Sequence, residues 1–132
     1  VTFYNEYEGP DMPLDDQTMN SFDEFNGHPA PNHQGGGGNP PYPGRYHYHV
    51  EPLYLTEVEP NASYTRLLGY ALDGFPVYGP LNPDGSTPEL DDYNGEFSPT
   101  PEYPNGIYHY HVTDNPPYLI GAFIGTPGSV DN

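Results

Sequence analysis

Nineteen prolines and sixteen glycines in 132 residues constrain this chain more than any other feature. Proline removes a helical hydrogen bond and collides with the preceding turn, while glycine carries backbone entropy that folding must overcome. Long helices are therefore disfavoured, and the expected fold is mainly β: short strands, long ordered loops and little helix. A hydrophobic fraction of 33% and a net charge of -17 would by themselves point to disorder. Fourteen tyrosines and six phenylalanines oppose that reading. Each can bury a large apolar area while Tyr keeps its hydroxyl hydrogen-bonded, so an aromatic core can replace an aliphatic one.

The chain repeats itself. Tyr46-His47-Tyr48-His49 recurs as Tyr108-His109-Tyr110-His111. Upstream, Phe22-Asp23-Glu24-Phe25-Asn26-Gly27-His28 is echoed by Leu90-Asp91-Asp92-Tyr93-Asn94-Gly95-Glu96. Downstream, Val50, Pro52 and Tyr54-Leu55 match Val112, Pro116-Pro117 and Tyr118-Leu119. The first spacer is six residues longer, and the run Gln34-Gly35-Gly36-Gly37-Gly38-Asn39-Pro40-Pro41 accounts for the excess. This pattern predicts an internal pseudo-twofold duplication. The expected organisation is an N-terminal arm over 1–21 and one domain over 22–132, built from related halves at about 22–80 and 81–132. That length suits a single domain.

The tetrads, the run Gly69-Tyr70-Ala71-Leu72-Asp73-Gly74-Phe75-Pro76-Val77-Tyr78-Gly79-Pro80 and the Asn94-Gly95 pair together resemble the YHYH domain family, over roughly residues 22–126. The resemblance implies a secreted or surface-exposed domain type more than an activity. Phe25, Tyr93 and Ala122-Phe123 stand where many members of that family place Cys. The resemblance thus implies aromatic packing here in place of a disulfide.

Side chains alternate across a strand, so His47 and His49 should share one face with Tyr46 and Tyr48 on the other, and likewise His109 and His111. Two same-face imidazoles can reach one ion at about 2.0–2.1 Å, which suits copper or zinc. Rings satisfied by hydrogen bonds alone are the competing reading. Asp73, preceding a Gly turn in an apolar run, is expected to be buried. It either orients a ligating ring, which would add it to the metal site, or closes its own turn. His28 and His33 fall in polar sequence and are expected to be solvated.

Acidic, turn-rich sequence offers a second constellation for calcium at Asp23, Asp84, Asp91, Asp92 and Glu96, where Gly lets carbonyls swing inward. No twelve-residue EF-hand pattern is present, and solvated acidic turns are the plainer alternative. Asn61-Ala62-Ser63 matches the N-glycosylation acceptor.

Nineteen acids against two bases, Arg45 and Arg66, leave a self-repelling surface that bound cations would relieve. Nucleic acid is excluded as a partner, because phosphate recognition needs clustered Lys and Arg. No stretch of ~20 apolar residues suggests membrane insertion. Val1 in place of an initiator Met gives the expectation of a processed chain. There is no cysteine for thiol chemistry, no Gly-x-Ser-x-Gly and no P-loop.

These features lead to the expectation of an extracellular or cell-surface, metal-binding structural protein, self-associating through its N-terminal arm as in a surface layer or filament. Val1, Phe3 and Tyr7 would line one face of that arm. A copper- or zinc-dependent enzyme using the His-x-His pairs and a calcium-dependent glycan-binding module are the alternatives.

Overall fold

The computed structural model describes residues 3, 7–9, 12–29 and 46–129. The fold is mainly β, as composition requires. Among the described residues eight short strands run in chain order as β1 (Tyr7–Gly9), β2 (Met12–Pro13), β3 (Gly27–Pro29), β4 (Tyr46–Tyr48), β5 (Leu67–Tyr70), β6 (Pro76–Tyr78), β7 (Gly95–Ser98) and β8 (Ile107–His111). Among the described residues helix is confined to one turn, Asp16–Met19, and a π-helical turn, Tyr54–Val58. The first is started by Asp15, whose carboxylate accepts from Thr18 N at 2.8 Å. Among the described residues no helix is long and apolar enough to cross a membrane.

β1 and β2 form one ribbon, β3 and β4 a second, and β5-β6-β8-β7 a four-stranded sheet in that order. β6 and β8 run parallel, pairing Val77 with Tyr110 and Tyr78 with His111. Pro76 opens β6, where a missing ladder N–H is tolerated. The core sits on this sheet: Val77, Tyr110, Val112 and Leu119 are buried together, with Phe3, Leu68, Phe75 and Ile120 packed against them. Tyr110 is fully buried, and its hydroxyl donates to Asp73 while accepting Ile124 N at 2.9 Å. Tyrosine thus does carry the core, with its polar end paired.

Of the N-terminal arm, Phe3 bridges Tyr48 in parallel and lies 5.8 Å from its ring, seated on its own chain. Val1 and the tetraglycine loop lie outside the described residues, as do His33 and Arg45. Phe25 packs edge-on against Tyr54 at 5.4 Å. Tyr93 lines an open cavity of about 450 Å³ with Asp92, Pro117 and Ala122. Of the positions the resemblance singled out, Phe25 is thus held by an aromatic contact, whereas Tyr93 and Ala122 border the open cavity.

Candidate metal centre

Each tetrad is folded by the same local device. Asp23 Oδ1 accepts the N–H groups of Phe25 at 2.9 Å and Gly27 at 3.1 Å, and Asp91 Oδ1 those of Tyr93 at 2.9 Å and Gly95 at 3.0 Å. This is the side-chain-closed turn that Asp favours. Asn26 and Asn94 follow in the left-handed region, at φ 68 and 66, which Asn tolerates better than most residues. The second carboxylate oxygen takes a tetrad phenol, Tyr46 to Asp23 at 2.5 Å and Tyr108 to Asp91 at 2.8 Å. Gly27 and Gly95 lie beneath those phenols, where a Cβ would overlap the tyrosine hydroxyl as it stands.

Held this way, each turn feeds a strand into antiparallel register with its tetrad. His28 pairs with His47 and Gly27 with Tyr48 in one hairpin; Glu96 pairs with His109 and Gly95 with Tyr110 in the other. Two compact donor sets result: His28, His47 and His49, and Glu96, His109 and His111. The five histidines are almost fully buried. The tetrad histidines therefore contribute to two groups of three, and each group gains its third member from the strand after Asn-Gly.

In the second trio the proton positions follow from chemistry. His109 Nδ1 lies 2.8 Å from the Ile107 carbonyl and His111 Nδ1 2.7 Å from that of Gly79. A carbonyl only accepts, so both Nδ1 atoms carry hydrogen and both Nε2 atoms present lone pairs when the rings are neutral. Those Nε2 atoms are 3.1 Å apart, with Glu96 Oε1 at 3.4 Å from His109 and 3.2 Å from His111. Three acceptors thus face one another, an arrangement that only a cation between them makes favourable. A proton is a poor candidate at His111, since burial lowers its imidazole pKa and outweighs the Gly79 carbonyl; His109 lowers it further and Glu96 opposes.

The first trio is similar. Ser21 Oγ gives its proton to Thr18 O at 2.6 Å and so accepts from His28 Nδ1 at 2.8 Å. His28 Nε2 then faces His47 Nε2 at 3.0 Å, which is 2.9 Å from His49 Nε2. Phe22 closes this site, 4.9 Å from the His28 ring and 6.2 Å from that of His49.

The spacings fit a shared ion. Donors at about 2.0–2.1 Å from one metal stand about 2.9 Å apart at a right angle and about 3.3 Å apart at the tetrahedral angle. Ring N–H groups anchored on backbone carbonyls are also the usual support of metal-binding histidines. The buried trios can therefore hold a metal ion.

Several expectations need correction. His28 is buried and belongs to a trio rather than to solvent. Asp73 joins neither trio. It is half-buried on the tyrosine side, taking the Tyr110 hydroxyl, Gly125 N at 3.2 Å and Phe75 N at 3.3 Å. Strand alternation is the reason, because the residue that meets Tyr110 cannot meet His109 or His111 across the strand. The expected calcium carboxylates do not gather among the described residues. Asp23 and Asp91 are spent on turns and phenols, Asp84 caps Ser86 at 2.9 Å, Asp92 is exposed beside the open cavity, and Glu96 faces the histidines. Asn61 is exposed.

A small β domain with two buried imidazole-rich trios, each presented by a Tyr-His-Tyr-His strand, is the class these observations define. A family profile described as YHYH protein matches residues 7–88 and 81–125. The chain belongs to the YHYH protein family. No curated protein and no solved structure shows significant similarity to it.

Proposed function

We propose that this is an extracellular metal-binding structural protein in which each histidine trio holds one copper or zinc ion. The observation that carries the reading is the convergence of His109 Nε2, His111 Nε2 and Glu96 Oε1 with both ring Nδ1 hydrogens already committed to carbonyls. Imidazole with at most one carboxylate suits these two metals, and the absence of cysteine removes thiolate competitors. A net charge of -17 supports the extracellular, cation-dependent setting. Self-association in a surface layer or filament is the assembly this reading favours.

Protein purified without chelators and analysed for metals should carry up to two equivalents of copper or zinc. Glu96→Gln with His111→Ala should remove one equivalent and leave the other. Size exclusion and electron microscopy with and without EDTA address assembly. A chain that takes up no transition metal, and whose melting temperature ignores added copper and zinc, overturns the metal reading.

An enzyme is the second reading, favoured by one feature: three protein donors leave a coordination position for water or substrate. An oxidase and hydrolase panel on the copper- and zinc-loaded protein tests it.

A further inference from the structure

The two trios are built alike but not charged alike. His28 and Glu96 hold the same place after Asn-Gly, and each faces the first histidine of its tetrad across the hairpin, His28 opposite His47 and Glu96 opposite His109. Each is also steered by a serine hydroxyl. Ser21 Oγ lies 2.8 Å from His28 Nδ1. Ser98 Oγ donates to Glu96 Oε1 at 3.3 Å, the same oxygen that stands 3.2 Å from His111 Nε2 and 3.4 Å from His109 Nε2. One ligand position thus delivers an imidazole in the first copy and a carboxylate in the second. Glu96 Oε1 lies against rings that are only 1% exposed. Water screens charge poorly in such a place, so one unit of ligand charge acts strongly on any ion held there.

We infer that Glu96 sets ion choice: it makes the second trio prefer a divalent ion such as Zn(II) over monovalent copper, Cu(I), a preference that His28 does not give the first. This inference rests on the reading of the trios as metal sites. The attraction between a carboxylate and an ion scales with the ion's charge, so it is doubled for Zn(II) relative to Cu(I). Softness acts in the same direction, because a carboxylate oxygen is a harder donor than an imidazole nitrogen and Cu(I) is the softer ion. The hydration an ion gives up on binding is the same whichever residue follows Asn-Gly, and it cancels when Glu96 is compared with a histidine at that place. One chain can then hold two ions of different charge, each in its own hairpin.

Zn(II) and Cu(I) both have filled d shells, so NMR of the histidine rings can report where each ion sits. The full chain is stripped with EDTA, loaded with Cu(I) under argon and ascorbate, and titrated with Zn(II). The ring nitrogen signals of His109 and His111 should change at a Zn(II) concentration about tenfold or more below that needed for His47 and His49. Glu96→His should remove most of that gap, chiefly by weakening Zn(II) binding, and Glu96→Gln should narrow it without altering side-chain size. His28→Glu should bring the first trio's signals toward the same low Zn(II) range. The titration of the wild-type chain needs no substitution, so it decides the matter even where a variant fails to fold. Zn(II) entering both trios together, or a gap that Glu96→His leaves intact, overturns the role of Glu96 while the metal reading stands. A chain whose ring signals respond to neither ion overturns the metal reading and this inference with it.

Discussion

Asn94 gives the sharpest test of how the second hairpin is held. Its side-chain amide donates to the carbonyls of His111 and Leu119, each at 2.8 Å, and it is 5% exposed. It does this from a left-handed backbone, φ 66, that few side chains adopt. Removing the amide strands two buried acceptors, at about 1–3 kcal/mol each. Asn94→Gly should therefore lose about 2–6 kcal/mol while leaving the backbone unstrained, against a total stability of about 5–15 kcal/mol. Asn94→Ala should lose about 1 kcal/mol more, the cost of a Cβ in the left-handed region. Asn26 supplies one such bond, to Glu51 O at 3.0 Å, so Asn26→Gly should lose about 1–3 kcal/mol. Urea unfolding of metal-free protein, followed by far-ultraviolet circular dichroism, measures all three. A loss below about 1 kcal/mol in Asn94→Ala, or equal losses at the two asparagines, would refute the argument that buried carbonyl satisfaction holds this hairpin.

Two further outcomes follow from the turn. At Gly95 an added methyl would meet both the Tyr108 hydroxyl and the His109 carbonyl, whereas at Gly27 it meets only the phenol of Tyr46, which is 42% exposed and can swing outward by giving up its bond to Asp23. Gly95→Ala should thus lower the urea midpoint by about 1–3 kcal/mol equivalent and Gly27→Ala by less; the reverse order would contradict the packing described. Burial pushes the Asp23 carboxyl pKa up, but the Tyr46 hydroxyl and the N–H groups of Gly27 and Phe25, with His28 nearby, pull it below the ordinary 3.8. A depressed carboxyl contributes stability that is fully present above the unfolded value and lost as pH falls through the folded one. The stability difference between wild type and Asp23→Asn should then be flat above about pH 5 and shrink below pH 3.8, as read from urea midpoints across that range.

The sequence disclosed the strand character of both tetrads, the separation of His and Tyr faces and the tyrosine-based core, because all three depend on period-two alternation and residue type. It also held the third member of each trio, in a form that could not be used. His28 and Glu96 occupy the same place after Asn-Gly, yet a polar loop and an acidic turn were the natural readings while cross-strand register was unknown. Register depends on the Asp turn and the latch from Asp to the tetrad phenol, contacts made over as many as 23 positions. Asp73 closes its own turn through Phe75 N, as one of its two readings expected, and does not orient a histidine, because the strand face it meets is decided by pairing between β6 and β8.

Each trio is gathered by one antiparallel hairpin, whose register rather than its loop brings the donors together. From His28 to His47 the chain runs nineteen positions, from Glu96 to His109 thirteen, yet the pairing across the hairpin is the same in both. Six residues can therefore enter or leave the connection without moving a donor atom. A hairpin of this type can lengthen its outer loop or acquire a new surface there while the cross-strand register that gathers its donor set is kept.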